Sequence, residues 1–245
     1  MNRMDLREIR ENEMTATTSG GKLSTRQLIL IPAAFTLAVT LVRLVGELRH
    51  WSASWFTTDM GPSIVAIVWL APVFGAYFAL RLARRGDGPR STWRSLLFPL
   101  LGAAIVMRQG TIASALHLTS TPTFYQRLVY VWAVLAVAAL VSLPGWPALF
   151  KTMAAYAYAA RVPVAIIMFF AMRGNWGTHY GLAPSDLPSG ISFASKYLWI
   201  AFLPQLVFWV GFTVLAGMLF GSIAAAVARL VRRAPRMEAQ SFPAK

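Results

Sequence analysis

The sequence predicts an all-α polytopic membrane protein, a bundle of six transmembrane helices with both termini in the cytoplasm. Hydrophobic residues make up 57% of its 245 residues and charged residues only 13%, whereas soluble domains carry about 25% charged residues. Long apolar blocks alternate with short polar stretches, as in a chain that crosses a bilayer repeatedly. This composition excludes a disordered chain, a coiled coil and an ordinary soluble enzyme.

Six apolar segments predict the helices, because a spanning helix needs about 20 apolar residues. They are Gln27 to about Leu48, Pro62 to Leu82, Leu96 to about Leu118, Phe124 to about Leu143, Ala148 to about Met172, and Tyr197 to about Ala228. Arg108 and Gln109 divide the third segment; we expect one continuous helix there, with a re-entrant half-helix as the alternative. The predicted organisation is a mobile cytoplasmic arm (1–26), a transmembrane domain (27–230) and a basic cytoplasmic tail (231–245).

The positions of Lys and Arg predict the orientation. Sixteen of the 23 lie in or next to the terminal segments and the connections after helices two and four, four lie in or next to the other connections, and three lie deeper within helices. Basic residues are retained on the cytoplasmic side of a membrane, so this bias predicts a multi-pass protein of the inner (plasma) membrane with both ends inside. The net charge of +14 is then explained by contact with anionic lipid on the cytoplasmic side, without nucleic acid.

The arginines that lie away from the ends of the predicted helices are Arg43, Arg108 and Arg161. A central arginine costs about 2.5–3.5 kcal/mol on insertion scales, so each should face the bundle interior and find partners there. Arg108 and Arg161 lie at similar depths from the cytoplasmic ends of their predicted helices, which places them on one level. Thr36, Thr40, Arg43 and Glu47 recur at helical spacing and predict one polar face of helix one.

The charges within the predicted helices do not balance. Glu47 is the one acid there, and a single carboxylate cannot neutralise three guanidiniums. The surplus predicts an anionic ligand, either a small molecule or a lipid headgroup, with Gln109, Tyr158 and Gln205 completing a polar shell around it. The alternative is that each arginine is a structural tie that bonds helix carbonyls or Glu47.

The connection between helices five and six, here called the outer loop (residues 173–192), combines Gly and Pro with polar and aromatic side chains. Asn175, Trp176, His179 and Tyr180 are its candidate functional residues. Gly and Pro give the loop a defined path, so it predicts a lid or binding surface over the site. The alternative is a tight loop anchored at the interface by its aromatic rings.

A stripe of small residues on helix six includes Gly217 and Gly221, spaced as Gly-x-x-x-Gly. Such a stripe lets another helix approach closely. It predicts helix packing, either within this chain or against a homo-oligomer or another subunit of a membrane complex.

The sequence predicts no cofactor and no metal site. It contains no cysteine, and His50, His117 and His179 lack the short spacing of metal ligands. Phosphate-binding, dinucleotide-binding and hydrolase signatures are absent from the sequence. The leading hypothesis is a small binding or transport protein whose arginines hold an anionic or amphipathic ligand. The alternatives are an accessory or structural subunit of a membrane complex, and a membrane enzyme acting on lipid through Glu47, His50 or His179.

Overall fold

The computed structural model describes residues 25–58, 65–116 and 122–240, with side chains for 27–58, 65–116 and 122–232. Within these ranges the chain is helical and contains no strand. The α-helices are α1 (Thr25–Leu48), α2 (Leu70–Arg84), α3 (Thr92–Met107), α4 (Gln109–Ala115), α5 (Phe124–Ser142), α6 (Pro147–Gly174), α7 (Phe193–Tyr197) and α8 (Trp209–Gln240). Most of the predicted N-terminal arm, the last five residues of the tail, Pro62 and His117 lie outside the described residues.

Five helical stretches are long and apolar enough to cross a membrane, and α3 with α4 would make a sixth if the two form one span. The five are Gln27–Leu48, Ile67–Arg84, Phe124–Gly145, Pro147–Gly174 and Phe193–Arg232. Large apolar side chains such as Leu30, Phe35 and Ile166 are more than half exposed on the bundle surface, a pattern typical of lipid contact. The prediction of an all-α polytopic membrane protein is thus confirmed.

The expectation of a continuous third helix is corrected by a break at Arg108. Here α3 ends, and α4 leaves at 65° to it. The Arg108 backbone departs from helical angles, with φ −95° and ψ 10°, and its side chain is exposed. Across the break the Tyr130 hydroxyl donates a hydrogen bond to the Gln109 carbonyl. The bend thus leaves the guanidinium outside the packed bundle and provides a partner for a carbonyl at the break.

Helix α8 is the central element, packing against α2, α6, α3 and α5, while α1 lies against α6. Its N-terminal connection is irregular: the π-helical turns Leu198–Phe202 and Pro204–Phe208 join α7 to it. At its other end α8 continues to Gln240, past the predicted end near Ala228. Proline has no amide hydrogen to donate, so Pro204 favours the wider π turn.

Helices α2 and α8 approach each other closely at glycine residues. A Cβ built on Gly75 would lie 2.5 Å from both the Cα and the carbonyl oxygen of Gly217. A Cβ on Gly221 would lie 2.7 Å from the Gly75 carbonyl oxygen. The predicted small-residue stripe therefore packs within the chain.

Replacing Gly75 by alanine is expected to separate α2 from α8, because the new methyl group would overlap backbone atoms that cannot rotate away. Overpacking of this kind costs about 1–3 kcal/mol, measurable as a lower free energy of unfolding in detergent. Gly110→Ala in α4 is the matched control, since a Cβ there has nothing within 4 Å. Equal stability of the two variants would contradict this packing.

Candidate functional site

A cavity of about 780 Å³ lies between α1, α5, α6, the π-helical turns and the outer loop. This volume is within the range of about 300–1,000 Å³ that is typical of small-molecule sites. Of the predicted ligand-binding and outer-loop residues, five line it: Arg43, Arg161, His179, Tyr180 and Gln205. The sequence therefore located residues of α1, α6, the outer loop and the π-helical turns that the fold brings to one cavity.

Arg161 projects from α6 with only 5% of its surface exposed. Its guanidinium carbon lies 4.8 Å from the centre of the Trp209 ring, a cation–π contact. Among the described residues, no carboxylate or carbonyl oxygen forms a hydrogen bond or ion pair with it. The ionisable groups acting on it are the phenols of Tyr156 and Tyr180, which carry no charge at neutral pH. Arg161 is thus a buried cation at a cavity wall without a described counter-ion.

Arg43, by contrast, is neutralised within the protein. Its Nε donates to Glu47 Oε1 over 2.8 Å, and Glu47 has no exposed side-chain surface. The backbone N–H of His179 donates to Glu47 Oε2 over 2.9 Å. His179 Nδ1 also lies 2.5 Å from Oε1, although it is not aligned for a hydrogen bond. Glu47 therefore joins α1 to the outer loop and balances Arg43, one of the two buried arginines at the cavity.

The predicted polar face of α1 is buried along its length and contacts α6 and the outer loop. The Thr36 hydroxyl lies 2.8 Å from the Tyr156 hydroxyl. Tyr180 donates a hydrogen bond to the Thr40 carbonyl over 3.2 Å. The first contact joins α1 to α6, and the second fixes the height of the outer loop on α1 and with it the position of His179 at the cavity.

The rest of the cavity wall is mainly apolar. It is formed by aromatic and aliphatic side chains that include Phe124, Leu128, Val131, Trp132, Trp199 and Phe208. Gln205 is a polar exception: its Nε2 lies 3.3 Å from Met168 Sδ, and its buried Oε1 has no described partner. A buried cation within a mainly apolar wall suits a ligand with a charged head and an apolar body.

Two exposed charges stand on the cavity edge. Arg127, near the start of α5, forms an ion pair with Asp186 of the outer loop, each side chain being about half exposed. The hydrogen bond from Arg127 lowers the pKa of Asp186, so this carboxylate is ionised at neutral pH. The pair crosses from helix to loop and adds no net charge.

Burial lowers the pKa of His179 below its ordinary value, and the positive charge of Arg43 acts in the same direction. The contact with Glu47 acts oppositely but does not reverse the result. His179 is therefore a neutral imidazole at physiological pH.

Other predicted residues lie away from the cavity. Arg108 and Gln109 are at the break between α3 and α4, and Tyr158 is 49% exposed on the far side of α6. Asn175 ends α6 in the left-handed conformation, with φ 49°, and Trp176 lies beside Gly174. Gly217 and Gly221 are buried between α2 and α6.

Sequence reasoning missed four residues at or beside the site. Trp209 lies within the sixth predicted helix, and its ring faces Arg161. Tyr156, rather than Tyr158, is the buried tyrosine of α6. The sequence signal for its burial was its position among the small residues that this helix buries. Arg127 and Asp186 are 59 residues apart in sequence, and no local pattern pairs them.

Within the described ranges, no three His, Cys, Asp or Glu residues are close enough together to hold a metal ion. No protein-family model, curated protein or solved structure matches this chain. The fold and the cavity together define a helical multi-pass membrane protein. Its cavity has a mainly apolar wall with the buried cation of Arg161.

Proposed function

We propose that this protein binds an amphipathic anion in the cavity beside Arg161 and carries it across the membrane. The observation that supports the proposal is a buried guanidinium at a cavity wall with no described counter-ion. A buried cation is costly unless an anion accompanies it. The ligand's anionic group would lie against Arg161, and its apolar part along Trp132, Trp199 and Phe208.

The proposal also includes a location. The bias of basic residues supports an inner (plasma) membrane protein with both termini in the cytoplasm. The cavity then opens on the outer half, because Arg127 and the outer loop stand at its edge. Anionic lipid on the cytoplasmic side would contact the basic connections at the other end of the bundle.

The test is a calorimetric titration of the protein in a nonionic detergent with octane-1-sulfonate, which has a permanent negative charge and a short apolar tail. We expect saturable binding at one site, and much weaker binding of neutral 1-octanol and cationic octyltrimethylammonium. Equal binding of all three, or none of the sulfonate, would contradict the proposal. Uptake of labelled sulfonate into proteoliposomes then separates a transporter from a binding protein.

A second candidate, an enzyme acting on lipid, is favoured by the contact between Glu47 and His179. A carboxylate beside one imidazole nitrogen, with the ring at a cavity, is the arrangement of a general base and the residue that orients it. Such an enzyme would release a fatty acid or lysolipid from phospholipid vesicles, and His179→Gln would stop the release. Mass spectrometry that finds no product with the wild type would remove this candidate.

A further inference from the structure

His179 is the titratable side chain best placed to respond to a ligand beside Arg161. Both residues line the same cavity. The ring of His179 lies against that of Tyr180, with centroids 3.8 Å apart, and the Tyr180 phenol is within electrostatic reach of Arg43 and Arg161. An anion held by Arg161 would therefore add its charge to the surroundings of the imidazole.

The other charged and titratable groups around His179 define what an anion would change. They come from α1, α6, α5 and the outer loop, and are Arg43, Glu47, Arg161, Tyr180, Arg127 and Asp186. Arg43 is balanced by Glu47 and Arg127 by Asp186, while Tyr180 is neutral. Arg161 thus provides the unbalanced positive charge on the wall of the cavity that His179 also lines.

An incoming monoanion would neutralise Arg161 and leave room for one more positive charge. His179 can accept that charge because Nδ1 already lies 2.5 Å from Glu47 Oε1, so a protonated ring has a carboxylate beside it. Glu47 is less suited to take the proton, since Arg43 and the His179 backbone N–H both stabilise its ionised form. Glu47 therefore stays ionised, and the neighbouring His179 takes up the proton.

We propose that the protein takes up one proton on His179 with each anion that enters the cavity, so that proton and anion move together. This inference rests on the proposed anion site and adds the proton as the second transported species. The lowered pKa of His179 agrees with it, because a neutral ring is able to accept a proton. Since the bound form holds the extra proton, lower pH must strengthen anion binding.

The experiment repeats the titration with octane-1-sulfonate between pH 8 and pH 5, where the probe keeps its charge. In buffers of different ionisation enthalpy, the observed heat should change in proportion to one proton taken up per sulfonate bound. The affinity should rise as the pH falls, by up to about tenfold per pH unit. His179→Gln, which cannot be protonated, should make the affinity independent of pH.

His50→Gln is the matched control, because His50 follows the end of α1, is exposed, and does not line the cavity. It should keep the full pH dependence. Binding without proton uptake, or unchanged proton uptake in His179→Gln, would overturn this inference and leave the anion site standing. Failure of the sulfonate to bind at every pH would instead overturn the proposed function. If His179→Gln does not fold, the number of protons that the wild type takes up per sulfonate still tests the inference, because binding without proton uptake overturns it.

Discussion

Glu47→Gln is expected to destabilise the protein by about 3–5 kcal/mol, the usual effect of removing one partner from a buried ion pair. The side chain of Glu47 has no exposed surface and that of Arg43 only 10%, so water cannot replace the lost charge. The backbone of His179 would also lose its charged acceptor. The measurements are the free energy of unfolding in detergent and hydrogen exchange of the outer loop, which should become faster.

Asp186→Asn is the matched control for this variant, because it also removes a carboxylate that pairs an arginine to the outer loop. Here both side chains are about half exposed, and exposed pairs are screened by water and salt. Its stability should remain close to that of the wild type. If the two variants lose equal stability, Glu47 is not the buried link between α1 and the outer loop.

Arg161→Gln is expected to weaken octane-1-sulfonate binding by about thirtyfold or more, equivalent to about 2 kcal/mol. The same change should leave the stability of the ligand-free protein unchanged or raised, because it removes a buried charge without a described counter-ion. A structural tie would behave in the opposite way, losing stability when it is cut. Affinity and stability measured on one preparation therefore separate the two roles of Arg161.

Arg108→Gln is the control for this substitution, since it removes an arginine that lies at the helix break and does not line the cavity. Binding should remain within about twofold of the wild type, as expected for a surface residue away from the site. A loss equal to that of Arg161→Gln would mean that the protein's net charge, and not its cavity, governs the affinity.

Much of the candidate site could be predicted because bilayer physics makes polar residues within a helix conspicuous. Arg43, Glu47 and Arg161 were identified by their cost in lipid, and all three are buried. The polar face of α1 followed from helical spacing. The loop residues that contact this face depend on how the helices associate. The composition of the outer loop nevertheless identified His179 and Tyr180 as candidates.

Other features depend on tertiary structure that sequence spacing does not contain. A helix can keep an arginine out of the bundle interior by breaking, and α3 does so at Arg108. The apolar sequences on both sides of Arg108 are equally compatible with a continuous helix and with a broken one. Tyr158 is three residues before Arg161 but faces outward, because Arg161 stands at the edge of the buried face of α6. The contact of Trp209 with Arg161 depends on the packing of α6 against α8.

The central claim is that the cavity beside Arg161 holds an amphipathic anion. Its most direct test is native mass spectrometry of gently solubilised protein, followed by extraction and identification of what stays bound. The wild type and Arg108→Gln should retain an anionic lipid or metabolite, and Arg161→Gln should lose it. A wild type that carries no anion, or an anion retained equally by Arg161→Gln, would contradict the claim.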